Sequence, residues 1–371
     1  MYVLQKNIIG LLSLFLLVVG ILLVFVYNNI LVLDLASLAN TNHCPLCYGM
    51  AMCICLGRGN FTLNSNHLWE NVLSACSLSK SHIIFGKCAE DWVVVKKRAL
   101  DLTENEVKFD HMSELLKSLD ELNESHYDPQ KFKCCPSHTK LVEYYIENVV
   151  EKENNMSDIY LNTFFMIHAN MEPIIQQVTK DWAVAEYLGG CGDFTVWQYC
   201  GDTLTWVVPE LDWMARSFIA KQLLQFAFNA TFRHPRFSFY FTDMSPDNFA
   251  VSPEDEVRLV DLENVIVVDK YPEDPPENWE IQHESIHDES LNGFSFSAEE
   301  ICSHQTSDMN VYSICQGILS ENSDLIDGGL LHSPPEDMVD IKKMVRECIS
   351  PPTGISRFDI AELMMETLNM R

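Results

Sequence analysis

Between Phe237 and Lys270 the chain reads FSFYFTDMSPDNFAVSPEDEVRLVDLENVIVVDK, and this stretch limits the choice of fold more than any other. Phe237, Phe239 and Phe241 alternate with polar Ser238 and Thr242, and a short polar loop follows. Val257, Leu259 and Val260 precede Asp261, and Val265 to Val268 come after it. Aromatic and β-branched runs on both sides of a polar loop predict strand, loop, strand. Three polar residues stand at telling intervals: Asp243, Asn248 after four intervening residues, and Asp261 thirteen positions further on. Taken alone, a D-x-x-x-x-N pair is a weak signal in a chain rich in Asp and Asn, and an acidic hairpin with a solvated tip is the plain alternative.

Phosphoryl transfer from ATP to a hydroxyl needs such a trio. One Asp accepts or orients the proton of the attacking hydroxyl, and an Asn and a second Asp hold the metal ions that bridge the phosphates. On that reading Asp243 is catalytic, and Asn248 and Asp261 are ligands for Mg²⁺ or Mn²⁺. Upstream, DWVVVKKRAL from Asp91 to Leu100 predicts a strand ending in lysines. Such a strand end can present a Lys to the α- and β-phosphates, with Lys96 the first choice and Lys97 the second; a solvated basic strand end is the bland alternative. Met112, Leu115, Leu116, Leu119 and Leu122 recur at helical spacing, and Glu106 and Glu114 are both candidates to pair with that lysine. Residues Ile83 to Asp91 hold a single glycine, Gly86, so there is no G-x-G-x-x-G loop to cover phosphates with backbone N–H groups.

Trp182 to Trp206 predicts short strands and a hinge, and Pro209 to Ala230 an amphipathic helix with Leu211, Met214, Phe218, Ile219, Leu223, Phe226 and Ala230 on one side. Tyr271 to Glu300 is acidic and proline-containing, and reads as a long loop with Ser285, Ser290 and Ser295 as phosphorylation candidates. Asp308 opens an apolar segment matching a central helix whose Asp bonds the catalytic-loop backbone, and two short helices are expected around Pro334-Pro335 and Pro351-Pro352.

The chain has 371 residues and a net charge of −28, from 53 acidic against 25 basic residues. That field disfavours nucleic acid as a partner, and a nucleotide would need metal to offset phosphate repulsion. Ile8 to Tyr27 carry no charge and the apolar run resumes to Leu33, which is long enough to cross a bilayer. Lys6 before it and Asp34 after it predict a type II signal-anchor with the rest of the chain lumenal. Ser37-Leu38-Ala39 also permits cleavage and release. Thirteen cysteines agree with an oxidising compartment, and their odd number leaves at least one unpaired. In the cluster HCPLCYGMAMCICLGRG both zinc and disulfides fit, with disulfides favoured behind a signal-anchor. Sequons at Asn60, Asn123, Asn155 and Asn229 permit glycosylation.

The expected fold is therefore α+β, a two-lobed protein-kinase-like fold behind an N-terminal signal-anchor helix. Residues 1–34 would be the cytoplasmic stub and anchor, 35–80 a lumenal cysteine-rich segment, 81–206 the N-lobe and hinge, and 207–371 the C-lobe. CPLCYG near Cys44, VVVKKR at Lys96, AEYLGGCG at Cys191, TDMSPDNFAV with VDLENVIVVDK, PENW at Trp279 and GGLLHSPPED at Leu330 carry a resemblance. With these motifs the chain resembles the Deleted-in-Autism group of divergent, secretory-pathway protein-kinase-like proteins, over nearly all its length after the anchor. The resemblance implies a Golgi or secreted location and extracellular signalling; the apolar run at 8–33 predicts the membrane contact, and an unknown lumenal or extracellular protein is the expected partner. By position it makes Asp243 the base, Asn248 and Asp261 the metal ligands, and Lys96 or Lys97 the phosphate lysine.

This sequence departs from ordinary kinases at Phe241 and Thr242, where His and Arg usually stand, at Ser245, where many carry a lysine, and at Glu263, where the metal-binding triplet lacks its glycine. Two functions are thus expected first, a kinase acting on lumenal or extracellular substrates or a pseudokinase serving as a secreted or lumenal binding factor, with transfer of AMP instead of the γ-phosphoryl group as a third.

Overall fold

The computed structural model describes residues 34–64, 66–67, 81–98, 108–123, 132–150, 155–287 and 296–369. The expected anchor at 8–33, Cys76, Glu106, Ser290 and Ser295 lie outside them. Among the described residues no helix is long and apolar enough to cross a membrane. The chain divides into two units, one made of 1–108, 164–169 and 187–199 and the other of 109–163, 170–186 and 200–371. This division differs from a boundary at 206/207. Residues 109–163 and 170–186 go with the larger unit, because strand Phe132–Cys135 pairs in parallel with Val265–Asp269 there.

The smaller unit holds a five-stranded antiparallel sheet in the order Phe61–Leu63, Ser81–Cys88, Asp91–Arg98, Phe194–Gln198, Tyr187–Cys191. Leu35, Leu56, Phe61, Ile84, Val93, Val95, Phe194 and Val196 fill its core. Gly86 is there for packing, since a Cβ on it would stand 2.2 Å from the Phe61 ring. Strands Ser81–Cys88 and Asp91–Arg98 meet directly through a turn at Ala89-Glu90. Disulfides Cys44–Cys47, Cys53–Cys191 and Cys55–Cys88 take up the cysteine cluster, so the zinc alternative is set aside.

The larger unit is built on helix Trp213–Phe232, which starts where Asp212 accepts a hydrogen bond from the Ala215 N–H at 2.9 Å. It begins four residues later than expected. Ile219, Leu223, Phe226 and Ala230 are buried as expected, but Met214 and Phe218 are each 49% exposed, and Arg216, Ser217 and Thr231 are buried instead. The sequence face is wrong at its N-terminal end because the helix is apolar nearly all round and is covered from several sides. Strand Phe237–Phe241 and helices Met309–Ile314 and Arg357–Leu368 all pack against it. Every residue of strand Phe237–Phe241 is buried, so both its faces are covered, unlike the half-exposed strand its alternation suggests. Helix Met309–Ile314 runs on into a π-helical turn, Cys315–Leu319. Helices Ile341–Ile349 and Arg357–Leu368 flank Pro351-Pro352 as expected. Disulfides Cys135–Cys302 and Cys315–Cys348 tie this unit, while Cys134 is a buried free thiol and Cys200 is buried. Burial pushes the Cys200 thiol up to about 11, so it is inert at neutral pH.

His234 joins the long helix to strand Phe237–Phe241. Its Nδ1 accepts from the N–H groups of Arg236 at 3.1 Å and Phe237 at 2.9 Å, which requires that nitrogen to be unprotonated. Burial, and then the nearby Lys270 cation, push the imidazole down to about 4. The unfolded chain takes up this proton near pH 6.5, so the folded state should lose stability as pH falls from there toward 4, and lose no more below it. The expected slope is at most about 1.4 kcal/mol per pH unit in urea unfolding. The variant His234→Asn, which can still accept at this turn, should flatten it; an unchanged slope would assign the acid sensitivity elsewhere.

Candidate functional site

Asp243, Asn248 and Asp261 all belong to the larger unit. Strand Phe237–Phe241 pairs antiparallel with Val265–Asp269, which brings the start of the first polar loop beside the end of the second. The Thr242 N–H donates to the Asn264 carbonyl at 2.9 Å and closes that end. The loop then folds on itself: the Asn248 Nδ2 donates to the Asp243 carbonyl at 2.9 Å, and the Asn248 N–H to the Ser245 carbonyl at 3.0 Å. The chain returns through the hairpin Phe249–Val251 and Val257–Leu259, after which the Val260 N–H donates to the Asn248 carbonyl at 2.8 Å. Asp261 is thereby held next to the Asn248 loop, and its Oδ1 accepts from the Glu263 N–H at 3.2 Å.

The Asn248 amide nitrogen is committed to Asp243, which orients its Oδ1 as the atom able to meet a cation. Asn248 and Asp261 offer hard oxygen donors, the chemistry of Mg²⁺ and Mn²⁺. Among the described residues no group of three His, Cys, Asp or Glu side chains could hold a metal ion. Two protein ligands with the rest supplied by phosphate and water is the usual arrangement for a nucleotide-bound Mg²⁺. Asp243 is exposed at the mouth of a pocket of about 170 Å³ that lies between residues 242–246 and residues of the 313–325 segment.

Two buried side chains that the sequence did not single out set this geometry. Asn310, fully buried, donates through Nδ2 to the Phe239 carbonyl at 2.8 Å and accepts at Oδ1 from the Phe241 N–H at 3.1 Å. It clamps the strand that ends at the Asp243 loop. The sequence reading gave that role to Asp308, and the structure corrects it: the Asp308 carboxylate accepts from the Ser285 N–H at 2.8 Å and pairs with Arg357. Glu172, 1% exposed, accepts from the Leu262 N–H at 3.0 Å and from Asn170 Nδ2 at 3.2 Å, bracing the residue after Asp261. Glu114 is spent on its own helix, where it accepts from the Asp110 and His111 N–H groups at 2.8 and 3.3 Å. Those two bonds hold its carboxyl below the usual range.

Lys96 and Lys97 lie on strand Asp91–Arg98 of the smaller unit. Adjacent strand residues face opposite ways. Lys97 pairs with Asp193 at 3.5 Å, donates to the Leu38 carbonyl at 3.3 Å and lies over the Phe194 ring, which is a structural assignment. The Lys96 ammonium stands 5.4 Å from the Trp197 ring centroid.

A family model described as the protein-kinase domain of FAM69 matches residues 164–351, a span that contains Asp243, Asn248, Asp261, Glu172 and Asn310. The chain belongs to this family. Divergent protein kinase domain 2A of Xenopus tropicalis is 37% identical over 212 residues, covering 54% of this chain and 49% of that protein. The Homo sapiens protein of the same name is 36% identical over 212 residues, with the same coverage. The chain thus spans about half the length of the curated relatives it matches. Among solved structures, a chain from the Rv3197–erythromycin complex of Mycobacterium tuberculosis overlaps 51% of this chain and 44% of its own length at 13% identity, with a TM-score of 0.27. An overlap that slight bears on neither fold nor function. The kinase-like, mixed α and β character of this family member rests on the family match and on the elements described above.

Proposed function

We infer that residues 243–263 form a metal-dependent ATP site for transfer of the γ-phosphoryl group to a hydroxyl. The observation that carries this reading is the Val260 N–H bond to the Asn248 carbonyl at 2.8 Å, together with the Asn248 amide on Asp243 at 2.9 Å, because it gathers the three required side chains in one braced loop. Asn248 and Asp261 hold Mg²⁺ or Mn²⁺, which neutralises phosphate charge when bound. Asp243 takes the acceptor proton. Five disulfides among the described residues suit folding in an oxidising compartment, which supports placing the catalytic region in the lumen of the Golgi or another secretory-pathway membrane, or in the secreted protein, with residues 8–33 as the anchor. The substrates are lumenal or extracellular.

One observation favours a second reading, a pseudokinase that binds a partner without turnover. In place of a glycine-rich loop there is the Ala89-Glu90 turn, whose Glu90 carboxylate is 93% exposed and pairs with Lys87 at 3.0 Å. An acidic tip offers no backbone cradle for phosphates.

Thermal unfolding with ATP and Mn²⁺ tests the metal–nucleotide site that both readings can share. At a hundred times its dissociation constant the nucleotide should stabilise the chain by about 2.7 kcal/mol, and Asp261→Ala should abolish the effect. A shift that survives Asp261→Ala, or needs no metal, would sink the assignment of Asp261.

A further inference from the structure

Gln316 lines the pocket beside Asp243, is 9% exposed, and its carboxamide makes no hydrogen bond among the described residues. The carboxamide atoms are not among the buried polar atoms without a partner, so pocket water reaches them and a hydroxyl of an occupant can take the place of that water. Gln316 sits in the π-helical turn Cys315–Leu319, a distortion that often marks a functional site. We propose that this pocket is the acceptor subsite and takes a neutral polyhydroxylated group, a sugar ring carrying the hydroxyl to be phosphorylated. The proposal rests on Asp243 being the base.

The lining chemistry selects the occupant. None of the residues around the pocket is basic, while Asp243 and Asp324 stand at it, so phosphorylated, sulfated and carboxylated acceptors are repelled. The Gln316 carboxamide offers one acceptor and two donor hydrogens, which a hydroxyl can match from both sides; an ammonium group would answer only the oxygen. The Ser313 hydroxyl already donates to the Met309 carbonyl at 2.9 Å, so it faces the pocket as an acceptor. Ser245 and Asn322 add further neutral hydrogen-bonding groups, and the Asp324 carboxylate suits a pair of neighbouring hydroxyls. Met244, Pro246 and Leu325 supply apolar surface for the C–H face of a ring. The volume of about 170 Å³ leaves room for one sugar ring.

In the step itself the acceptor oxygen attacks the γ-phosphorus and a new O–P bond forms. The bond from that phosphorus to the β,γ-bridging oxygen breaks, and its electron pair leaves with ADP. The acceptor proton passes to the Asp243 carboxylate and then to water.

Saturation-transfer NMR on the 371-residue chain tests this with a panel of neutral methyl glycosides, their sulfated and sialylated counterparts, and serine- and threonine-containing peptides. The expected result is binding of a neutral glycoside that weakens roughly tenfold in Gln316→Leu and severalfold in Asn322→Ala. The anionic counterparts should not bind. Both variants should keep the ATP–Mn²⁺ thermal shift, and Asn322→Ala, on the exposed rim, decides the matter if Gln316→Leu does not fold. Peptide binding that depends on Gln316, or no binding of any neutral glycoside while the nucleotide shift is intact, overturns the proposal. Loss of the nucleotide shift in the unaltered chain counts against the metal–nucleotide site instead, and glycoside binding then stands or falls by itself.

Discussion

Replacing Arg357 with methionine is expected to destabilise the larger unit by about 3–5 kcal/mol. Arg357 is 2% exposed and Asp308 1%. Its guanidinium pairs with the Asp308 carboxylate and also donates to three backbone carbonyls, Cys348 at 2.6 Å, Ser285 at 2.9 Å and Ile349 at 3.1 Å. The same cation lies 4.9 Å from the Tyr312 ring centroid. Burial pushes Asp308 up and Arg357 down, each opposed by its partner, so the pair is held in its charged form only while both members are present. Arg357→Met leaves the buried Asp308 carboxylate with the Ser285 N–H but no cation, and removes a donor from three carbonyls. The double variant Asp308→Asn with Arg357→Met should recover part of the loss, because no uncompensated charge remains. Urea unfolding of the single and double variants measures both. A loss below about 1 kcal/mol in the single variant would mean that water or another cation reaches Asp308.

This pair also shows where the sequence could and could not be read. Asp308 was recognisable as a helix-opening Asp, but its partner lies 49 residues away, and no periodicity links them. Asn310 and Glu172 were invisible for the same reason. A buried polar side chain is identified by the backbone groups it answers, and these come from strand Phe237–Phe241 and from Leu262, far along the chain. By contrast, Asp243, Asn248 and Asp261 fall within one strand-loop-strand segment, so their spacing reports their proximity. Lys96 ranked ahead of Lys97 in the sequence only by its place at the end of VVVK. The alternation of the strand and the Asp193 partner separate them only once Phe194–Gln198 is known to pair alongside. The face of helix Trp213–Phe232 was misread at Met214 and Phe218 because an apolar helix covered from several sides has no single stripe to detect. Cysteine pairing was out of reach, since thirteen cysteines allow far too many connectivities.

The second large effect concerns chemistry. Asp243 is exposed at the loop that Asn248 closes, beside the pocket that contains Gln316, and no other carboxylate of that loop lines the pocket. If it takes the acceptor proton, Asp243→Asn keeps the loop's shape and its bond to Asn248, which uses the backbone carbonyl, and removes only the base. General-base catalysis of this kind contributes about 10²–10⁴ in rate. Release of γ-labelled phosphate from ATP in the presence of Mn²⁺, to water or to a neutral glycoside, is the most direct measurement. The account predicts turnover by the unaltered chain that falls by about 10²–10⁴ in Asp243→Asn while the ATP–Mn²⁺ thermal shift is kept. Equal turnover in both chains, or full nucleotide stabilisation with no turnover in either, would contradict it, and the latter would establish the pseudokinase reading in its place.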